Sequence, residues 1–280
     1  MENNKIWFIT GASKGLGLTL VKALLNEGCK VAATSRSKKD LEDAVGDGFN
    51  SIFLPLSVDI KNESSVSLAV RNTIEKFGKI DVVVNNAGYA LTGSLEELTD
   101  EEARGNFEIN VFGTLNVIRQ VMPYLRHQRS GHIINISSVG GFTGNFPGFG
   151  IYCATKFAIH GLTESLFAEV KQFGVKVTVV SPGYFRTNFL TSGSLNIPKM
   201  PISAYQDVRD SQSTHEQEIN GNQPGDPEKG VAAIIKIASE VEPPLHLFLG
   251  EDAYGLAYQK IEGVITELEK WKTLTLSTGF

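Results

Sequence analysis

Ile6-Trp7-Phe8-Ile9-Thr10 runs straight into Gly11-Ala12-Ser13-Lys14-Gly15-Leu16-Gly17, and this junction decides the fold. The first five residues are apolar or β-branched and read as a buried strand. The amphipathic run 15–28 behind them reads as a helix. Three glycines between a strand and a helix let the chain turn tightly, with no Cβ to hold off a bulky anion. The helix opening there offers unpaired N–H groups and a partial positive charge. The G-x-x-x-G-x-G spacing carries little weight alone; the strand before it and the helix after it give it meaning.

The same alternation continues outward. Lys30–Ser35, Ser51–Leu56, Ile80–Val84, His132–Ser137 and Val175–Val180 read as buried strands. Helical runs lie near 38–45, 62–77, 100–126 and 152–173. Near-continuous apolar strands separated by amphipathic helices are the pattern of a parallel sheet covered on both faces. Right-handed crossovers then give a doubly wound, mostly parallel α/β fold. Ser37 with Asp40 resembles a capping box. Asp226-Pro227 reads as an N-cap followed by a proline in the first helical turn. Residues 188–226 break the rhythm with Ser, Asn, Gln, Pro and Gly, and are expected to form a lid. Leu245–Leu249 reads as a further strand and Tyr254–Lys272 as a final helix. No composition shift divides residues 1–280, so one domain is expected.

With 41% hydrophobic and 20% charged residues the chain is globular rather than disordered. A net charge of −5, with no dense Lys/Arg block, gives no reason to seek nucleic acid or an anionic membrane. Ile133–Thr155 is uncharged and long enough to span a bilayer, but its glycines and Pro147 argue for strand, loop and helix start instead. Cys29 and Cys153 make no disulfide framework, and the N-terminus lacks a secretory pattern. The expected location is cytoplasmic.

The second strand ends Thr34-Ser35-Arg36. A dinucleotide site for NAD usually places an acid there, whereas a 2′-phosphate calls for an arginine. No acid is present; Arg36, with Lys14 from the glycine loop, favours NADP(H), and NAD(H) stays open. Tyr152-Cys153-Ala154-Thr155-Lys156 places a phenol and an ammonium on one helix face. A nearby cation lowers the pKa of a phenol, which is otherwise ~10.

Together these pieces resemble the short-chain dehydrogenase/reductase family in its single-domain branch. The matching residues come in that family's order: the Gly11/Gly15/Gly17 loop, Asp59, Asn85-Asn86-Ala87-Gly88, Asn110, Ser138, Tyr152/Lys156, and Pro182-Gly183 with Thr187. The resemblance implies a Rossmann fold and hydride exchange between a nicotinamide cofactor and a small carbonyl compound or alcohol. By that resemblance Tyr152 is the general acid or base, Ser138 holds the substrate oxygen, and Lys156 holds the nicotinamide ribose and tunes Tyr152. Asn110 would support a water-linked proton relay to Lys156. Cofactor contacts would come from Gly11, Ser13, Lys14, Gly15, Leu16, Gly17, Ser35, Arg36, Asp59, Ile60, Asn86, Ala87, Gly88, Pro182, Gly183 and Thr187, besides Tyr152 and Lys156. A homodimer or homotetramer is implied as well.

One departure stands out: Ser138 and Tyr152 are fourteen residues apart, where the family usually has thirteen. The extra residue is expected in the turn 144–148. Ser137 is the alternative to Ser138, although adjacent strand residues face opposite ways. The expected pocket loops carry Tyr89, Leu91, Phe142, Phe146, Phe149, Tyr184, Phe185, Phe189, Leu190, Ile197 and Met200, which suits a lipophilic substrate. His127, His132, His160, His215 and His246 show no metal-ligand spacing, and no metal is expected. The alternatives are an NAD-dependent alcohol dehydrogenase and an NADP(H) sensor without turnover.

Overall fold

The computed structural model describes residues 5–191 and 194–280. Ser192 and Gly193 of the expected lid lie outside them. The first half of the chain runs β1 (Ile6–Ile9), α1 (Gly15–Asn26), β2 (Lys30–Ser35), α2 (Lys38–Val45), β3 (Phe53–Ser57), α3 (Glu63–Phe77), β4 (Val82–Asn85), β5 (Ala90–Leu91), α4 (Asp100–Phe107) and α5 (Gly113–Gln128). The second half runs β6 (Gly131–Ile136), α6 (Gly150–Val170), β7 (Val175–Pro182), β8 (Leu195–Asn196), α7 (Gln206–Ser213), α8 (Pro227–Ser239), β9 (His246–Leu249) and α9 (Glu251–Leu276).

Seven strands form one parallel sheet in the order β3-β2-β1-β4-β6-β7-β9. This is the doubly wound α/β domain expected, with every pairing parallel. Alternation along the strands explains the two cores. Trp7 and Ile9 pack under α1, α2 and α8 with Leu20, Leu41 and Ile234. Phe8, between them, points to the other face, among Val66 of α3, Val121 of α5 and Leu166 of α6. The uncharged stretch 133–155 is strand, loop and helix start, and no described helix is long and apolar enough to cross a membrane.

Three features differ from the sequence reading. The run 100–126 is not one regular helix: a π-helical segment, Glu108–Phe112, separates α4 from α5 and carries Asn110. Hydrophobic periodicity does not report a one-residue widening of the turn. Two short strands, β5 and β8, pair outside the main sheet. The final helix is longer than 254–272, and only Ala253 and Ala257 of its 26 residues are buried.

The described residues of the segment expected to be a lid are folded, and their anchor is a buried carboxylate. Glu97 has no exposed side-chain surface and pairs with Arg209 of α7 at 2.7 Å. It also accepts hydrogen bonds from the backbone N–H groups of Ser94 (2.7 Å) and Ile202 (2.6 Å). Burial alone would raise this carboxyl, but those donors and Arg209 together hold it below its ordinary value. Its contribution is therefore present above the unfolded pKa of 4.5 and fades as acid titrates the lower folded value. Removing one partner of a buried pair strands the other, so Glu97→Ala should cost about 3 kcal/mol in urea unfolding. The same variant should be cut faster by protease between β8 and α8; unchanged cleavage would mean that Glu97 does not hold this segment.

Candidate active site

The site begins where two turns touch. β1 lies between β2 and β4, at the point where the winding of the sheet reverses. A Cβ on Gly11 (φ +64°) would stand 2.6 Å from Ala87 Cα, and one on Gly17 2.5 Å from Asn86 Nδ2. Only glycine allows this approach. Asn86 Nδ2 then donates to the carbonyls of Thr10 (3.0 Å) and Gly11 (2.9 Å). Thr10 Oγ1 accepts from the N–H groups of Asn86 and Ala87. The turn after β1 is thereby stitched to the turn after β4.

A cavity of about 700 Å³ opens over the carboxyl ends of the strands. Of the residues expected at the site, it is lined by Gly11, Ser13, Lys14, Gly15, Leu16, Ser35, Arg36, Ile60, Asn86, Ala87, Gly88, Ser138, Tyr152, Lys156, Pro182, Gly183 and Thr187. Three others are placed differently. Gly17 is a packing glycine beneath the loop. Asp59 is exposed, and its carboxylate closes a local turn by accepting from Lys61 N at 3.1 Å. Asn110 is buried behind the wall, where its amide braces Tyr89 O and N and Thr155 Oγ1, each at 3.0 Å.

At one end of the cavity Lys14 and Arg36 approach each other. Partial burial and then the charge of Arg36 lower the pKa of Lys14. Two cations that press on one another form a receptacle for an anion. The glycine loop, with Gly11 and Gly15 in the left-handed region, adds a cradle a Cβ would obstruct. These residues fit a dinucleotide cofactor.

At the other end Tyr152 and Lys156 are both buried on α6. Lys156 Nζ lies 5.8 Å from the centre of the Tyr152 ring and donates to Ile136 O at 2.9 Å. Burial pushes the Tyr152 phenol above its ordinary value, while a hydrogen bond with Ser138 pulls the other way. The fourteen-residue spacing thus still brings Ser138 to Tyr152. Ser137 also lines the cavity, but its hydroxyl is committed to Lys156 O, to which it donates at 3.0 Å. Gly88 fits between Asn110 and Lys156: a Cβ there would lie 3.0 Å from Asn110 Oδ1 and 3.6 Å from Lys156 Nζ.

The family pattern for short chain dehydrogenases matches residues 5–196. The chain belongs to the short-chain dehydrogenase/reductase family. Oxidoreductase BOA17 of Botryotinia fuckeliana is 38% identical over 98% of this chain and 99% of its own length. The 3-ketodihydrosphingosine reductase of Bacteroides thetaiotaomicron is 38% identical over 88% of each chain. A short-chain dehydrogenase structure from Streptomyces avermitilis superposes with a TM-score of 0.90 at 35% identity, covering 99% of this chain and 100% of that one. Solved relatives at 26% and 25% identity carry NADP in one case and NADH in the other. This short-chain dehydrogenase/reductase is therefore an NAD(P)-dependent oxidoreductase acting on CH–OH or C=O groups.

In this family member several cavity residues escaped the sequence reading. His215 and Gln223, distant in sequence from the Tyr152–Lys156 pair, both line the cavity, and Gln223 Nε2 is a buried donor without a partner among the described residues. Nothing in local spacing announces them; the fold of residues 188–226 brings them there. Of the expected pocket residues, Tyr89, Phe146, Phe149, Tyr184, Phe185, Phe189 and Leu190 line it. Four do not. Leu91 is buried elsewhere, Phe142 packs edge-on against Phe248, and Ile197 and Met200 are exposed. Away from the cavity, His160 and Glu164 on α6 meet His246 of β9, with one ligand atom from each within 4.8 Å of the others. That grouping spans two distant segments, so sequence spacing could not show it.

Burial lowers the Lys156 pKa from 10.5 to about 8. Between those values the unfolded chain binds more protons than the folded one, so stability rises with pH across this window. Below it the folded protein carries the full cost of a buried ammonium. Lys156→Met should therefore melt higher than the parent at pH 7, by about 2 kcal/mol after loss of the bond to Ile136. The gain should shrink toward pH 10. A variant that melts lower at pH 7 would show that the ammonium is stabilising where it lies.

Proposed function

We propose that the protein is an NADP(H)-dependent reductase of a small, lipophilic carbonyl compound, able to oxidise the matching alcohol, with Tyr152 as general acid or base. The observation that carries this reading is one cavity with the Lys14–Arg36 pair at one end and Ser138, Tyr152 and Lys156 at the other. Arg36 and Lys14 hold the 2′-phosphate. Ser13, Leu16 and the Gly11/Gly15 cradle hold the pyrophosphate, with Gly17 keeping the helix close. Ser35, Ile60 and the turn at Asp59 border the adenosine. Asn86, Ala87 and Gly88 line the middle, and Pro182, Gly183 and Thr187 border the nicotinamide.

Held by these residues, NADP(H) would supply the hydride for reduction, or accept it in oxidation, at the substrate carbon. Tyr152 gives its phenolic proton to the substrate oxygen during reduction and takes one back during oxidation. Ser138 Oγ holds that oxygen as its charge develops. Burial keeps the Tyr152 phenol protonated, which suits the reductive direction. Lys156, with its pKa drawn down to about 8, holds the ribose and can pass a proton on near neutral pH. Asn110 supports that relay from behind, bracing Tyr89 and Thr155 beside Lys156.

Phe146, Phe149, Phe189 and Leu190 form an apolar wall, which supports a lipophilic substrate; so does kinship with a reductase of a 3-keto compound. Residues 188–226 act as the lid, since Asn188, Phe189, Leu190, Ser194, Asn196, His215 and Gln223 contribute part of the cavity lining. The apolar stripe Ile261, Val264, Ile265 and Leu268 on α9 is exposed and supports a homo-oligomer. Buried free thiols at Cys29 and Cys153 agree with a cytoplasmic setting.

NADPH consumption at 340 nm against aldehydes and ketones tests the reading. Tyr152→Phe should lower kcat about 10³-fold while keeping NADPH affinity within a few-fold. Lys14→Ala with Arg36→Ala should raise the KM for NADPH at least tenfold and leave that for NADH nearly unchanged. A parent enzyme preferring NADH would overturn the assignment of the cation pair.

A further inference from the structure

Tyr184 and His215 meet inside the cavity, one from the sheet and one from the lid. Tyr184 follows Pro182-Gly183 at the end of β7. His215 lies in the π-helical segment Thr214–Ile219 that continues α7. The Tyr184 hydroxyl stands 2.8 Å from His215 Nε2, and His215 Nδ1 stands 2.7 Å from the carbonyl oxygen of Ser211.

Chemistry fixes the direction of both bonds. A carbonyl oxygen only accepts, so Nδ1 carries the imidazole proton. Burial lowers the His215 pKa, against the opposing pull of the Ser211 bond. At neutral pH the ring is therefore neutral, and Nε2 is a lone-pair acceptor. Tyr184 must then donate its single proton to His215. What the phenol has left is acceptor capacity, on an oxygen belonging to a cavity-lining residue. Phe149 links this pair to the proton-transfer end, with its ring centre 4.6 Å from that of His215 and 6.4 Å from that of Tyr152.

We propose that Tyr184, oriented by His215, is a substrate subsite that accepts a hydrogen bond from an O–H or N–H group near the reacting carbon. The preferred substrates are then hydroxy- or amino-ketones of otherwise apolar character, and not plain ketones. This rests on the carbonyl-reductase reading and narrows its substrate class. The apolar wall and the acceptor have separate roles: the wall takes the hydrocarbon part, and the acceptor selects a donor beside the carbonyl. A buried acceptor that loses its partner is penalised, so the subsite discriminates against the analogue lacking the donor.

The test uses a matched pair, 1-hydroxydecan-2-one and decan-2-one, with NADPH, in the parent and in Tyr184→Phe. The parent should favour the hydroxyketone in kcat/KM, and Tyr184→Phe should reduce that preference about tenfold, mainly through KM. Taking the ratio within each variant cancels any loss of folding or lid closure. If Tyr184→Phe keeps the parent's ratio, the pair is only a latch for the lid and the proposal is wrong. The binding arm does not depend on turnover. Calorimetry of decane-1,2-diol and decan-2-ol on the NADP⁺-saturated protein should show the diol binding more tightly in the parent, with the advantage lost in Tyr184→Phe. No turnover of either ketone, together with that diol preference, would count against the reductase reading and leave the subsite standing. Equal binding of diol and mono-alcohol by the parent would overturn the subsite.

Discussion

The architecture depends on the contact between the turn after β1 and the turn after β4. Gly11 and Gly17 bring backbone against backbone there, and Asn86 joins the two turns through its amide. A parallel sheet leaves its strand ends open where the winding reverses, and a loop over that opening normally has nothing to rest on. Here the opposing turns supply each other's hydrogen-bond partners, so the crevice has a rigid floor. Lys14, Gly15 and the start of α1 are positioned from that floor on one side, Gly88 and the brace at Asn110 on the other. A Cβ at either glycine would separate the turns and disturb both ends of the cavity at once.

The parts legible in sequence are those with a local physical signature. A glycine cluster between strand and helix, apolar strands at regular intervals, a helix start at Asp226-Pro227 and a phenol four residues before an amine each follow from short-range geometry. These gave the strand pattern, the glycine turn and the Tyr152–Lys156 pair. Spacing alone could not separate Ser138 from Ser137. The hydrogen bonds do, because Ser137 is committed to the Lys156 carbonyl. Asp59 illustrates the opposite case: an acid at a suggestive position is drawn into its own turn by Lys61 N–H.

What sequence could not show arises from contacts between distant segments. The π-helical widening at Glu108–Phe112 leaves the apolar periodicity of the flanking helices intact, yet it sets where Asn110 points. Residues 188–226 read as polar and irregular, which is correct for composition and uninformative about placement. Their position is fixed by Glu97, more than a hundred residues from Arg209 and Ile202. Once that carboxylate is buried and paired, His215 and Gln223 are carried over the cavity. Residues of this segment therefore contribute polar groups to the cavity lining as well as apolar ones, and none of them has a motif.

The distribution of cost argues for turnover over simple cofactor capture. Lys14 and Lys156, both facing the cavity, are lysines whose hold on a proton is weakened by burial. Lys14 is understandable in any protein that binds a phosphate. Lys156 is not: its ammonium is buried beside Tyr152, and the fold would be more stable with an apolar side chain there. A protein that only sensed the cofactor would have no use for a proton carrier whose pKa lies near neutrality. Nor would it need a protonated phenol hydrogen-bonded to a serine over the same space. Groups with shifted proton affinity gathered in one crevice are the physical mark of proton transfer. Burial costs local stability at Lys156 and at the same time brings its pKa to about 8, into the range where a proton can leave and return.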